Sequence, residues 1–202
     1  MPWNEGCCGQ HRNRHAKGAS GSRRGSRGRG VRWWSANTAS AVKSNAGEVE
    51  RDLLIVLTWK DEEFVGFVSW DLERAQEALY GRYGVISPAH RGAKLSTCGM
   101  QLGEVIARAM GVGFIYTLAT LKVASMQLAL ERAGYQLVGV APGYDRELTA
   151  SGVVKRVYEA CYAKVLVPED ELQRPDPAKM TPKTRQLFEL LFPHLLNSSF
   201  AA

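Results

Sequence analysis

The stretch from Val85 to Tyr135 constrains this chain most, because it holds in unbroken order the end of a strand, a polar turn, a helix, a strand and a second helix. Leu102, Val105, Ile106, Ala109 and Met110 recur at i, i+3, i+4, i+7 and i+8, which predicts a helix from about Thr97 to Met110 with Gly111 as its stop. Gly113 to Ala119 is a short apolar run that suits a strand, and Val123, Met126, Leu130 and Ala133 mark a further helix that Gly134 ends. A helix joining two such strands makes them parallel partners, through a crossover that is right-handed almost always. Arg91, Gly92, Lys94, Ser96 and Thr97 crowd the turn before the first helix. Helix N–H groups with flanking cations bind anions, above all phosphate. The alternative is an ordinary helix start capped by Ser96 or Thr97, with Arg91 solvated.

The segment from Leu53 to Val165 resembles the acyl-CoA-binding core of the GNAT superfamily of N-acyltransferases, whose pyrophosphate loop reads Q/R-x-x-G-x-G/A between a strand and a helix. Here the register gives Arg91-Gly92-Ala93-Lys94-Leu95-Ser96, with Lys94 in place of Gly and Ser96 in place of the final Gly or Ala. Val85-Ile86-Ser87-Pro88 resembles the strand that leads into the loop, and Glu131-Arg132-Ala133-Gly134-Tyr135 resembles the ending of the family's later helix. The resemblance implies a mixed α/β (α+β) fold: a central, mostly antiparallel sheet with one parallel, splayed strand pair, flanked by helices. It implies acetyl-CoA as acyl donor substrate, no metal, and transfer to an amine of a small molecule or protein by direct attack in a ternary complex. Cofactor contacts fall on Val85, Ile86, Arg91, Gly92, Ala93, Lys94, Leu95, Ser96 and Thr97, and on Ser125 in the second helix. Lys94 then serves as a second phosphate ligand or crowds the space that Gly leaves open.

The strand from Ala78 to Ser87 is interrupted by Gly81 and Gly84, which signal a bulge or a close backbone approach, or else a turn between two short strands. The resemblance makes it the splayed strand, with an N–H near Val85 or Ile86 as donor to the thioester oxygen. The family's acid, a tyrosine in the later helix, aligns with Leu130. By residue type alone, Tyr83, Tyr158, Tyr162 and Tyr144 are replacement acids, and Glu77 or Asp145 a base. Glu77, Tyr83 and Tyr158 are taken as the catalytic candidates.

Charge is distributed unevenly over the 202 residues. Residues 1–46 carry nine Lys or Arg against the single acid Glu5, net +8, whereas residues 47–202 carry 17 basic and 19 acidic residues, net −2. A nucleic-acid partner would therefore engage the basic tail alone. Two alternatives to plain acyltransfer follow: a nucleic-acid-modifying protein of the same fold recruited by that tail, or a catalytically silent CoA-binding or interaction protein. Residues 1–30 are Gly, Ser and Arg rich without apolar periodicity and are expected to be disordered. Cys7-Cys8, His11 and His15 lack zinc-site spacing. Four cysteines without a disulfide framework point to a reducing, cytoplasmic setting, and no apolar run is long enough for a membrane span.

Three segments expected are a disordered basic tail over 1–30, the acyltransferase-like domain over 31–167, and a proline-rich linker with an amphipathic helix over 168–202. Trp33-Trp34 to Ala46 reads as a short helix. Leu53–Trp59 and Glu63–Trp70 are an antiparallel pair joined by Lys60-Asp61-Glu62. Tyr135 to Val140 and Val153 to Val167 are strands, separated by a twelve-residue loop from Ala141 to Gly152. Thr181-Pro182 opens a final helix bearing Leu187, Leu190 and Leu191, a stripe suited to docking on the domain or on a second copy in a homodimer.

Overall fold

The structure is a computed structural model that describes residues 31–38, 52–60 and 62–193. The expected disordered tail lies outside the described residues. In chain order the elements are β1 (Val31–Thr38), β2 (Asp52–Lys60), β3 (Glu63–Glu73), β4 (Ala78–Ile86), α1 (Leu95–Ala109), β5 (Phe114–Thr120), α2 (Ala124–Arg132), β6 (Gln136–Leu148), β7 (Val154–Val165) and α3 (Pro182–Leu191). The strands form one sheet in the order β1-β2-β3-β4-β5-β7-β6. Every neighbouring pair is antiparallel except β4 and β5, which are parallel, as the crossover through α1 requires.

Two sequence expectations are corrected. Residues Trp33 and Trp34 lie in β1, which pairs along its length with β2 from Val31↔Lys60 to Thr38↔Leu53, so the expected helix does not form there. Val31, Trp33, Trp34 and Thr38 are strand formers, and the apolar β2 offers them an edge. The remainder of that expected helix, 39–46, lies outside the described residues. The twelve-residue loop is likewise replaced. β6 continues to Leu148, and the hairpin closes at Thr149–Val153, where the Thr149 N–H donates to the Val153 carbonyl at 2.9 Å. Pro142 and Gly143 are absorbed by a register shift: Ala141 faces Glu159 and Asp145 faces Val157, so β6 spends two more residues than β7 over that interval.

Helices α1 and α2 cover one face of the sheet. Leu54, Val56, Val68, Trp70, Leu79, Ile115, Ala119, Ala160 and Tyr162 point to that face and are buried with Met100, Leu102 and Ala107 of α1 and Leu130 of α2. Gly103 marks how closely α1 approaches: a Cβ there would stand 2.5 Å from the Trp70 ring. A three-way contact fixes α1 and α2 against β7, with Lys164 Nζ donating to Glu104 at 2.5 Å and to the Ala133 carbonyl at 3.0 Å. At the carboxyl end, Thr181 accepts from the Thr184 N–H at 3.2 Å and caps α3 as its sequence predicts. Leu187 and Leu190 of α3 are exposed.

Candidate active site

β4 carries one more residue than β3 where they pair. Ser69 faces Tyr83 while Trp70 faces Gly81, which leaves Arg82 as the bulged residue. The strand is nonetheless continuous from Ala78 to Ile86, so the turn considered between Gly81 and Gly84 does not occur. Pairing with β5 runs only from Ala78↔Phe114 to Gly81↔Thr117. There the Thr117 hydroxyl donates to the Gly81 carbonyl at 2.8 Å, and a Cβ on Gly81 would stand 2.9 Å from that side chain. Beyond this point β5 continues to pair with β7, while Tyr83–Ile86 pair with β3 alone. The backbone of β4 on its β5 side is thereby left open over the very segment that follows the bulge.

The polar turn stands at the end of this opening. Pro88–His90 form a short 3-10 turn, Gly92 takes φ +83, and Lys94 takes the left-handed conformation at φ 59 as the residue before α1. Neither Ser96 nor Thr97 caps the helix; both lie within it, and among the described residues Lys94 makes no side-chain cap bond to its first N–H groups. The Cys98 N–H bonds the Lys94 carbonyl, so the N–H groups of Leu95, Ser96 and Thr97 precede the first intrahelical bond. Arg91 is exposed, with Nε 3.4 Å from the Ile86 carbonyl. A helix terminus with no acidic residue in its first turn, flanked by Arg91 and Lys94, favours an anion. Because β4 and β5 are parallel, α1 and α2 both begin at this end of the sheet, and Ser125 is exposed in the first turn of α2.

A cavity of about 790 Å³ lies on the sheet face opposite the helices and reaches the β4 bulge. Tyr80 of β4 and Tyr116 of β5 line it, with ring centroids 5.0 Å apart, and Tyr144, carried in by the shifted segment of β6, places its hydroxyl 3.4 Å from that of Tyr80. Tyr116 donates to Glu73 at 2.9 Å. Burial raises the Tyr80 and Tyr116 hydroxyls well above the usual phenol range, with the Tyr144 bond adding to it for Tyr80 and the Glu73 bond for Tyr116. Both remain protonated donors at neutral pH. Asp71 and Arg82 form an ion pair at the rim. Glu159 of β7 stands on the floor, 9% exposed, beside Asp145. Its carboxyl is held above the usual range, first by burial and then by the Asp145 charge.

Of the catalytic candidates taken from sequence, Tyr83 lines this cavity and is itself exposed. Glu77 does not line it: that residue sits at φ 47 in the turn before β4, where its carbonyl accepts from the Gly113 N–H. Tyr158 is exposed on the other face of β7, in the alternation set by Ala160 and Tyr162. Tyr162 is buried and donates to Glu131 at 2.8 Å; burial first, and then this bond, push its hydroxyl up to about 12. Leu130 is fully buried in the core. Asp145 lines the cavity, and Glu159 was missed by sequence reasoning although its signal was present: it is the lone acid on the β7 face shared with Val157 and Cys161.

A seven-stranded, mostly antiparallel sheet with one parallel pair that parts beside a helix N-terminus is the fold of the GNAT acyl-CoA N-acyltransferases. The chain is similar in structure to the ribosomal-protein-S18-alanine N-acetyltransferase of Escherichia coli, at 12% identity and a TM-score of 0.53, over 71% of this chain and 99% of that one. It is also similar to RimL, the ribosomal L7/L12 alpha-N-protein acetyltransferase, at 14% identity and a TM-score of 0.50, over 56% of this chain and 70% of that one. A further match is yncA of Salmonella typhimurium, solved with its cofactor acetyl-CoA, at 15% identity and a TM-score of 0.50, over 61% and 69% of the respective chains. No family model matches the sequence, and no curated protein matches it.

Proposed function

We propose that the chain is an acetyl-CoA-dependent N-acyltransferase, and the observation that carries this reading is the parting of β4 from β5 after the Gly81–Thr117 pair, next to the uncapped start of α1. The pyrophosphate of CoA lies against the N–H groups from Gly92 to Thr97, with Arg91 and Lys94 as cationic partners. The pantetheine arm runs along the unpaired edge of Arg82–Ile86, replacing the strand that β5 no longer supplies. An N–H near Val85 or Ile86 donates to the thioester oxygen as it becomes an oxyanion. The acyl group then faces the cavity through the gap between the strands, and the acceptor amine attacks from that side. The acetyl-CoA bound in yncA supports the same donor here.

Calorimetric titration with CoA tests the donor site. Arg91→Ala removes a charge-assisted bond worth about 1.5–3 kcal/mol, so affinity falls roughly 10- to 150-fold while the melting temperature holds. Equal CoA affinity in wild type and Arg91→Ala, or no binding by either, would overturn the assignment.

A further inference from the structure

We infer that the face of the β6–β7 ribbon bearing Arg146, Arg156 and Tyr158 seats the adenosine 3′-phosphate end of CoA, with both guanidinium groups on the 3′-phosphate and the Tyr158 ring against adenine; this rests on the acyltransferase reading above. The ribbon is the part of the hairpin that outruns the rest of the sheet. β5 ends at Thr120, opposite Glu159, and the Leu121 N–H makes a last bond to the Tyr158 carbonyl. Val154 to Val157 therefore pair with β6 alone, at the end of the sheet where α1 and α2 begin.

Which side chains share a face follows from the two-residue period of the strand. Ala160 and Tyr162 of β7 are buried with the helices, so Tyr158, Arg156 and Val154 lie on that same side, and the cross-strand neighbours Arg146 and Leu148 join them. Arg146 stands directly opposite Arg156. Like charges in that relation repel, and no carboxylate on the ribbon relieves them: Asp145 and Glu147 alternate to the other face, where Glu147 is taken by Lys122. The first turn of α2 carries no acid either. Among the described residues the Arg146 side chain has no partner, and Arg156 has only the Gly143 carbonyl, at 2.9 Å.

Around this cationic pair the surface is apolar and open, with Leu148 66%, Val154 50% and Tyr158 59% exposed. Two forked guanidinium groups beside a free aromatic ring suit a phosphate joined to a flat base. A phosphate monoester carries about 1.5 to 2 negative charges at neutral pH and has oxygens enough for both arginines, whereas a carboxylate or a nucleic-acid phosphodiester brings a single charge. The pyrophosphate assigned to the N–H groups from Gly92 to Thr97 lies at this end and on this side of the sheet, so one ligand serves both places. Tyr158 then holds the donor without touching the reacting atoms.

Calorimetric titration of the full chain with CoA and with 3′-dephospho-CoA, which lacks only that phosphate, tests the assignment. Wild type is expected to bind CoA about 10-fold or more tighter than dephospho-CoA, and Arg146→Ala to bring CoA down to the dephospho-CoA value while dephospho-CoA affinity holds. Arg156→Lys keeps the charge, forfeits the fork and loses part of the same difference. Tyr158→Ala weakens both ligands alike, since both carry adenine, and Tyr158→Phe restores them. Equal binding of CoA and dephospho-CoA by wild type overturns the inference while the donor site stands. A preference for CoA that survives in Arg146→Ala, or an Arg146→Ala that weakens both ligands equally, overturns it as well. Binding of neither ligand by wild type strikes the acyltransferase reading and takes the inference with it.

Discussion

Lys94 holds φ 59 and ψ 15 at the position where the resembled pyrophosphate loop carries glycine. A side chain in the left-handed region costs roughly 1 kcal/mol or more, and glycine returns part of that gain through the larger entropy of its unfolded chain. Lys94→Gly is therefore expected to leave stability unchanged or raise it by up to about 1 kcal/mol in denaturant unfolding. Its CoA affinity should fall, because the ammonium that accompanies Arg91 is lost; an unchanged or higher affinity would show that the side chain crowds the phosphates. Glu159 offers a second test, of stability alone. Its carboxyl is raised in the folded state, so its contribution to stability is fully present below the unfolded carboxylate pKa and is lost as pH rises through the folded one. Glu159→Gln should accordingly be more stable than wild type at pH 7, with the gain vanishing in acid; a variant less stable at pH 7 would mean that the charge is compensated in the free protein.

Element contacts show which parts of the fold sequence can reveal. α1 spends a glycine at mid-helix, where alanine would be favoured by about 1 kcal/mol, because Gly103 lies directly over the buried Trp70 ring. Gly103→Ala should still destabilise by about 1–3 kcal/mol, since the ring is enclosed and the new Cβ at 2.5 Å forces a shift of helix or sheet. The Glu104–Lys164 pair joins the same helix to β7. Burial pushes the Glu104 carboxyl up, but Lys164 and Arg108 together outweigh it and hold the carboxyl below its usual range. Its stabilisation is in place above the unfolded pKa of about 4.3 and is lost as pH falls through the folded value, so Glu104→Gln should cost about 1–2 kcal/mol at pH 7 and little in strong acid. The order β4-α1-β5-α2 was legible because each helix carries a 3.6-residue apolar period and ends at a glycine, Gly111 or Gly134, with positive φ. The extension of β6 was not legible, since Pro142 and Gly143 are chain breakers by type and only pairing with β7 turns them into a bulge. That missed bulge is what carries Tyr144 and Asp145 into the cavity, so both were named by residue type but their place in it was not legible. Glu77 and Tyr158 were chosen by type, and neither the turn that holds Glu77 nor the face of β7 that carries Tyr158 opens onto the cavity.

At the scale of the whole molecule, the excess positive charge lies in residues 1–46 while the other six strands, the helices and the cavity belong to a net-negative remainder. β1 falls inside that basic segment yet completes the sheet, so a boundary between dispensable and structural chain is expected between residues 30 and 31. Deleting 1–30 removes no apolar set and should leave the melting temperature within about 1 °C. Any salt-dependent binding of a DNA or RNA duplex should vanish with the same deletion, because the phosphate-binding charge goes with it. Deleting 1–38 removes eight residues that pair with β2 and leaves Leu53-Leu54-Ile55-Val56-Leu57 as the new edge. Such a strand is strongly apolar, rich in β formers and free of charge, the combination that templates edge-to-edge association. The shorter chain should melt lower by roughly 5 °C or more, since each kcal/mol moves the midpoint about 2–4 °C in a domain of this size. It should also associate as its concentration rises, seen as growth in scattering over hours at constant temperature. Equal melting of the two truncations would mean that β1 adds nothing to the sheet. If only the longer deletion associates, the edge covered by β1 is what keeps this fold soluble, and Lys placed at Ile55 or Leu57 of the shortened chain should suppress the association without restoring the lost melting temperature.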